Sequence, residues 1–453
     1  MHEGNCLMAK IQSLYTWLNS KHNVIDHMIK NYQMAGKKMI LWGAGQRGCA
    51  FLEIYDPEAK YISVVYDSYQ PKQNTVLPTG HKVVAPGSTK ADVIFCMADG
   101  LERQIYQWRY QHKEKAEVVN IVNVIFDDGL HRELLSGRSV RTAKICGLVI
   151  LYHPSQQNFL YIQQYADQLD SLVLFDNSPE SNQDLVDRMG FSENVVYHWN
   201  QGDNIGLGEP INRLVAKLQD SDFDWILTFD QDSLPADDMI LKMRQFIDSD
   251  GCAEDIAIVS PLAVTEKINH ERCLGRSVAE DSLTARMSQE YGLEQIKKWG
   301  LPPCLHTCFI VQSGMLQRIK TIRALGGYDE NLFIEAVDYD YVVRCLQHGY
   351  KTIQLNDCFM MHEVEDDQYD LKKDRWRKVM VNKYSPLRYY YRYRNMLYCK
   401  NKFRGSAYEF IWDEVLQGIE RMIPLERQSE KVVLAIKKAK DDYRNGEMGK
   451  WRT

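Results

Sequence analysis

The sequence predicts an α/β protein made of two alternating strand–helix units followed by a helical region. Three observations carry this. Short apolar runs end in glycines or acids at MILWGAG (39–45), ICGLVIL (145–151), SLVLFD (171–176) and DWILTFDQDS (224–233). Segments of helical period separate them, and such alternation gives a mostly parallel sheet with ligands at the carboxyl ends of the strands. A polar, mildly basic connector at 127–144 puts a boundary near residue 140. The expected organisation is an N-terminal helical segment (1–35), a small Rossmann-like domain (36–140), a main α/β domain (143–365) and a basic, aromatic-rich helical C-terminal region (366–453).

Composition narrows the class. At 453 residues, 45% hydrophobic and 26% charged, the chain reads as an ordinary soluble globular protein. Its net charge of −6 argues against nucleic acid as a partner. No apolar run reaches the roughly 18 residues of a membrane span, and the first residues lack the apolar stretch of a secretory signal. A cytoplasmic location is expected. Eleven scattered cysteines, an odd number, suit reduced thiols. Cys304 and Cys308 flank His306, but no second ligand pair lies nearby, so buried thiols are the expectation there.

Taken in order, Ile11, Leu14, Tyr15, Leu18, Ile25, Met28 and Ile29 have the spacing of an amphipathic helix. The strand 39–42 then runs into Gly43-x-Gly45-x-x-Gly48. A second strand, 61–66, ends at Asp67, about 20 residues beyond that glycine loop. Strands near 93–97 and 118–125 complete the unit. Glycines at such a turn let backbone approach a phosphate, and the acid could hold a ribose; close packing is the alternative.

The second unit starts with the strand 145–151 and continues through a helix around 157–169. The strand that follows ends at Asp176, and the strand 195–199 leads to the glycine-rich NQGDNIGLGEPINRLV. The strand 225–229 closes on Asp230-Gln231-Asp232. If that strand ran on, the two acids would project to one face. Paired carboxylates at the end of a buried strand resist desolvation unless they face solvent or share a cation. A hard divalent ion bound to a diphosphate fits them, and an acidic surface loop is the plain alternative.

These blocks resemble the ordered motifs of family-2 glycosyltransferases, most of all the bacterial rhamnosyltransferases that build surface polysaccharides. The likeness rests on LYHP (151–154), DNS (176–178), DNIGLGEPIN (203–212), FDQDS (229–233), QSGMLQR (312–318), ALGGYDENLFIEAVDYDYVVR (324–344), GYKTIQL (349–355) with His362, and YSPLRYYYRYRN (384–395). It covers roughly residues 143–400. It implies a GT-A fold, an inverting transfer from a nucleotide-diphosphate sugar, and Mn2+ or Mg2+ as cofactor. Carried over, Tyr152 and Asp176 hold the nucleobase and ribose, and Asn204 and Gly206 lie beside the nucleotide. Asp230 and Asp232 form the metal site, with Asp232 preferred as direct ligand. Asp338 is the general base, Arg344 joins the nucleotide-sugar site, and His362 faces the diphosphate or metal. Where the family more usually has Thr-Tyr-Asn, this chain has Leu151, Tyr152 and His153, keeping the aromatic. The first unit looks like the small Rossmann-like domain appended to some bacterial sugar methyltransferases and sugar transferases. That suits packing or a subunit contact in a homo-oligomer.

The residues alone leave Glu335, Asp338 and Asp340 all open as bases. A helix through VDYDYVVRCLQHG, stopped at Gly349, would put Asp338 in its first turn, where a capping role is the alternative. Gly326-Gly327 permits a tight turn that delivers this loop, and Trp299 to Pro302 reads as acceptor-side loop or as a buried turn. Between 371 and 404, twelve Lys and Arg face only Asp374, with tyrosines interleaved. Such a mixture suits an anionic membrane surface or a diphosphate-linked lipid acceptor, hence a peripheral contact with the inner face of the membrane. A Tyr-rich helix packed on the sheet with its charges solvated is the alternative. Phe410 to Ile423 carries a helical stripe ended by Pro424, and the last twenty residues read as charged and frayed. Two rival functions stay open: a dinucleotide-dependent oxidoreductase centred on Gly43–Gly48, and a catalytically silent sugar-nucleotide scaffold.

Overall fold

The computed structural model describes residues 22–97, 102–121, 142–249, 252–264, 304–306, 310–362, 369–374, 377–382, 384–406, 408–425 and 429–451, with Tyr15, Leu18, Asn19 and Val124. Expectations that fall on Ile11, Leu14, the connector 127–141, Trp299 to Pro302, Cys308 and the side chains of His306 and His362 lie outside the described residues.

Helix α1 (His22–Met34) precedes a parallel sheet of β1 (Met39–Trp42), β2 (Ile62–Tyr66), β3 (Val83–Val84), β4 (Val93–Cys96) and β5 (Glu117–Asn120), in the order β3-β2-β1-β4-β5. Helix α2 (Gln46–Tyr55) follows the glycine loop, and α3 (Glu102–Gln111) joins β4 to β5. The strand expected over 118–125 stops at Asn120, and Ile121 is already helical. An apolar run alone does not tell a strand from a buried helix segment.

The second sheet starts with four parallel neighbours: β6 (Ile145–Leu151), β7 (Ser171–Asp176), β8 (Val195–Trp199) and β9 (Trp225–Asp230). Their crossover helices are α4 (Gln156–Ala166), α5 (Gln183–Met189) and α6 (Gly208–Lys217). Ser155 starts α4 with a capping box completed by Asn158. After β10 (Ser233–Pro235) and α7 (Met239–Ile247) the sheet becomes mixed. Strands β11 (Ile256–Val264), β12 (Cys304–His306), β13 (Met315–Arg318) and β14 (Lys351–His362) extend it in the order β10-β14-β11-β13-β9-β6-β7-β8, with β12 on β14. Helix α8 (Ile319–Ala324) leads through Gly326 and Gly327, both at positive φ as a tight turn requires, to α9 (Val337–Gln347). Gly349, at φ +78°, follows its end.

The C-terminal region opens with a hairpin, β15 (Tyr369–Asp374) and β16 (Arg377–Asn382), before any helix. Then come α10 (Pro386–Lys402), α11 (Glu409–Met422) and α12 (Ser429–Arg444). Helix α11 buries Ile411 and Ile419 of the expected stripe; the side chains of Phe410 and Met422 lie outside the described residues. The frayed tail is not found. Helix α12 packs on α10, and beyond it Trp451 lies 4.7 Å from the Tyr390 ring while its backbone N–H donates to the Tyr391 hydroxyl at 2.7 Å. Apolar groups buried at Val432, Ala435, Ile436 and Ala439 hold that helix down, which a count of its charges does not reveal.

The described part of the basic, aromatic segment is also turned inward. Tyr389, Tyr390, Tyr391 and Tyr393 are buried, and Arg394 is 1% exposed. Arg388 pairs with Glu335, Lys400 with Asp413, and Lys402 with Asp329 and Asp340. The packed-helix reading holds for α10 in its buried tyrosines, but the helix packs on α11 and α12 rather than on the sheet, and these cations are paired with acids rather than left to solvent. The side chains of residues 371–383 lie outside the described residues, and no described helix is long and apolar enough to cross a membrane.

Candidate active site

The register of the parallel strands lines up the ends that matter. Leu151 faces Asp176 across β6 and β7, and Ile150 faces Asp230 across β6 and β9. Tyr152, Asp176 and Asp230 thus start from one edge of the sheet, where α/β sheets place ligands.

Asp176-Asn177-Ser178 ties the loops at that edge together. The Ser178 Oγ accepts the His153 N–H at 2.8 Å. The Asn177 side-chain amide donates to the Gly206 carbonyl at 2.9 Å. Asp176 is fully buried, and its carboxylate accepts from the Ser178 N–H, the Asn182 amide and the Tyr197 hydroxyl at 2.6–2.8 Å. It therefore shapes the 177–182 loop from beneath. Tyr197 pays back in acidity: its phenol is pushed up to about 12, first by burial and then by its bond to Asp176.

Tyr152 stands 47% exposed above this row, an open aromatic face at the tip of β6. Gln231 fixes it. The Gln231 Oε1 accepts the Tyr152 N–H at 2.8 Å, and its Nε2 donates to the Tyr152 carbonyl at 3.2 Å. The residue between the two acids of the D-Q-D motif is thus the link between them and the aromatic. No sequence argument singled it out; its place between Asp230 and Asp232 was the available signal.

Asn204 accepts the Gly206 N–H at 2.9 Å, closing a turn. Gly206 sits at φ +81°, and a Cβ there would stand 2.2 Å from the Phe333 carbonyl oxygen. The next residue, Leu207, donates its N–H to that same carbonyl at 3.0 Å. The loop expected beside the nucleotide is therefore laced to the loop that carries the candidate bases.

Strand β9 ends at Asp230, and Gln231-Asp232 form a turn before β10. The same-face geometry of a continuing strand is therefore not found, and Asp232 lies in the turn. Both acids are half-buried. The Asp230 N–H donates to the Ser313 Oγ at 3.1 Å. Across the sheet, the backbone of His362 pairs with Ser233, next to Asp232. Among the described residues no group of three or more His, Cys, Asp or Glu is gathered as a metal cage. Two carboxylates at one turn still fit a hard cation of the kind that takes most of its oxygens from substrate phosphates and water.

Of the three candidate bases, two are neutralised by cations. Glu335 pairs with Arg388 at 2.6 Å and Arg392 at 3.8 Å. Asp340, fully buried, pairs with Arg344 at 2.8 Å and Lys402 at 2.6 Å. The Arg344 guanidinium is engaged there and with the Leu325 carbonyl at 3.0 Å, so it braces the loop from behind. Asp338 has no ion pair among the described residues. Its carboxyl is pushed up to about 6, first by burial, then by the like charges of Glu335 and Asp230, against the pull of the Tyr339 N–H. That coupling brings Asp338 into the electrostatic range of the D-Q-D turn. It does not cap α9: the N-cap is Ala336, and Asp338 lies inside the first turn.

The backbone before Asp338 is unusual. Glu335 and Ala336 both hold left-handed φ, +64° and +68°, which non-glycine residues seldom adopt. Helix α10 holds them there. The Asn395 side-chain amide donates to the carbonyls of Ile334 at 2.6 Å and Glu335 at 3.0 Å, and Phe333 packs 5.3 Å from the Tyr391 ring.

At the glycine loop of the first sheet, Asp67 accepts the Ala44 N–H at 2.9 Å, and the Lys72 ammonium donates to the Ala44 carbonyl at 2.6 Å. A Cβ on Gly48 would meet the Gly43 oxygen at 2.0 Å. The acid that a ribose would need is turned onto the loop itself, and Gly48 serves close packing.

The sequence is similar to the dTDP-rhamnosyl transferase RfbF of Shigella flexneri, with 24% identity over 300 residues that cover 64% of this chain and 91% of that protein. No family model matches the chain. Similar solved structures include the mannosyltransferase PcManGT from Pyrobaculum calidifontis in complex with GDP-Man and Mn2+, at 12% identity, covering 76% of this chain and 90% of that one with a TM-score of 0.39. TarS of S. aureus matches at 14% identity, over 63% of this chain and 44% of that one, with a TM-score of 0.37.

Proposed function

We propose that this rhamnosyltransferase-like glycosyltransferase moves a sugar, rhamnose first among the candidates, from a nucleotide-diphosphate donor to a glycan or lipid-linked glycan acceptor, with inversion at the sugar. The observation that carries this reading is Asp338: one carboxylate without an ion pair among the described residues, raised to about 6, in electrostatic range of Asp230. A base of that strength is ionised near neutral pH and still accepts a proton well. A single carboxylate on the far side of the sugar suffices for direct displacement, whereas a second one acting as nucleophile would give retention.

In this mechanism Tyr152 offers its exposed ring to the nucleobase, and Gln231 keeps that ring in register with the acids. Asn204 and Gly206 line the nucleotide from the other side. Asp230 and Asp232, with His362, would hold Mn2+ or Mg2+; when bound, the ion supplies positive charge to the departing diphosphate. Asp338 takes the proton from the acceptor hydroxyl as that oxygen attacks. The cytoplasmic side of the membrane is where activated sugars and lipid-linked glycans would meet, and the basic stretch 371–383 is suited to a peripheral contact there. Asp67 turned onto its own glycine loop favours this reading over the dinucleotide one.

A screen of nucleotide sugars for manganese-dependent protection against thermal unfolding tests it, since a ligand at 100 times its Kd stabilises by about 2.7 kcal/mol. A dTDP-sugar is expected to protect the native chain, and Asp232→Ala to lose the protection while melting cooperatively. Unchanged protection in that variant rules out the metal role.

A further inference from the structure

Near the base in sequence, three residues before it, Glu335 is shared by two cations of α10. Arg388 donates its Nε–H to Glu335 Oε1 at 2.6 Å, while the Arg392 Nε stands 3.8 Å from Glu335 Oε2. That Arg392 Nε is buried and finds no hydrogen-bond partner among the described residues. Buried donors are nearly always satisfied, so one left open beside a reactive group points to a missing acceptor atom. Both guanidiniums lie over the Tyr384 ring, at 4.2 Å and 5.6 Å from its centre. The ring holds their planes, and a guanidinium held flat suits bidentate partners. The two side chains keep 37% and 27% of their surface exposed, so a ligand can reach them. The Tyr339 phenol, raised first by burial, is pushed further by Asp338 and pulled back by Arg392, so base and arginine flank one side chain. When Asp338 has taken its proton, this corner holds two positive charges against one negative.

We propose that Arg392, with Arg388 and Tyr384, forms an acceptor subsite for an anionic group: its guanidinium takes phosphate oxygens of a diphosphate-linked acceptor and so presents the sugar hydroxyl to Asp338. This rests on the transferase reading above. Guanidinium is the side-chain group best matched to paired phosphate oxygens.

The test uses the full chain saturated with dTDP and Mn2+, so that the donor site is filled, and titrates it calorimetrically with decyl diphosphate. Binding is expected in the native chain and at least tenfold weaker binding in Arg392→Gln, with Arg392→Lys recovering part of the loss. The affinity for dTDP is expected to stay unchanged in both, and melting curves identify any variant that fails to fold. Sodium pyrophosphate binding as tightly as decyl diphosphate sustains the subsite and assigns recognition to phosphates alone; weaker binding sustains it and adds the alkyl chain. Absence of decyl diphosphate binding to the dTDP-loaded native chain overturns the proposal, as does full-strength binding by folded Arg392→Gln and Arg392→Lys. The titration is run with whichever nucleotide diphosphate the thermal screen selects, dTDP being the one expected; failure of every nucleotide diphosphate to bind sinks the transferase reading instead, and is read separately in the first titration.

Discussion

Asp338, Glu335 and Asp340 are three acids within six residues, and the sequence alone treats them alike. Their partners make them different, and those partners, Arg388, Arg392, Arg344 and Lys402, come mostly from a helix far along the chain. Asp338 was separable only through the family resemblance. Its raised acidity has two consequences. As a base it works ionised, so kcat/KM is expected to fall about tenfold per pH unit below about 6. The fold also binds that proton more tightly than the unfolded chain does. The stability this confers is complete below 3.8, the ordinary value, and is lost as pH rises through about 6. Asp338→Asn should therefore melt higher than the native chain at pH 8, by about 3 kcal/mol at most, and nearly level with it at pH 4. Transfer should drop about 10²- to 10⁴-fold with donor affinity kept. Calorimetric melting at the two pH values and a rate assay check both halves.

Helix α10 shows what composition conceals. Read along the chain, its cations and tyrosines look like a surface for membranes. Folded, they meet Glu335, Asp329, Asp340, Asp413 and Asp442, acids that no local window contains. Strand ends and glycine turns were legible because each depends on a few consecutive residues. The inward turn of α10, the Gln231 bridge and the Asn395 clamp depend on pairings between distant segments, which spacing does not encode. The clamp yields a test at this scale. Asn395→Ala leaves two backbone carbonyls without their donor, at about 1–3 kcal/mol in stability. Turnover is expected to fall more steeply than the donor KM rises, because the loop it releases carries Asp338 and touches the donor side through the Phe333 carbonyl, just outside the clamped pair. A donor KM that rises as steeply as kcat falls would argue against that assignment.

Across the whole molecule, all the candidate catalytic and donor-binding residues lie on the second sheet and its loops, with α10 behind them. The first sheet has its own strands and its own buried group around Ile40, Tyr66, Ile94, Cys96 and Ile105. Alternation made both sheets legible. The antiparallel strands β10 and β13 were not, because a three- or four-residue strand carries too little pattern to register. A chain of residues 141–453 is expected to keep transfer chemistry, with losses confined to solubility or assembly. Complete inactivity of that truncation, if it melts cooperatively, would show that the first sheet contributes to the reaction.

The left-handed pair Glu335-Ala336 has a consequence for anyone breeding this protein for heat resistance. Glycine adopts that backbone without the penalty of about 1–2 kcal/mol that alanine carries. Ala336→Gly should thus surface early among survivors of a heat challenge. The same exchange relaxes the hinge from which Asp338 is hung, so those survivors are expected to be hardier and more sluggish together. Ranking them by melting temperature and by turnover side by side would expose the trade, and a winner that gained in both would show the strain to be idle.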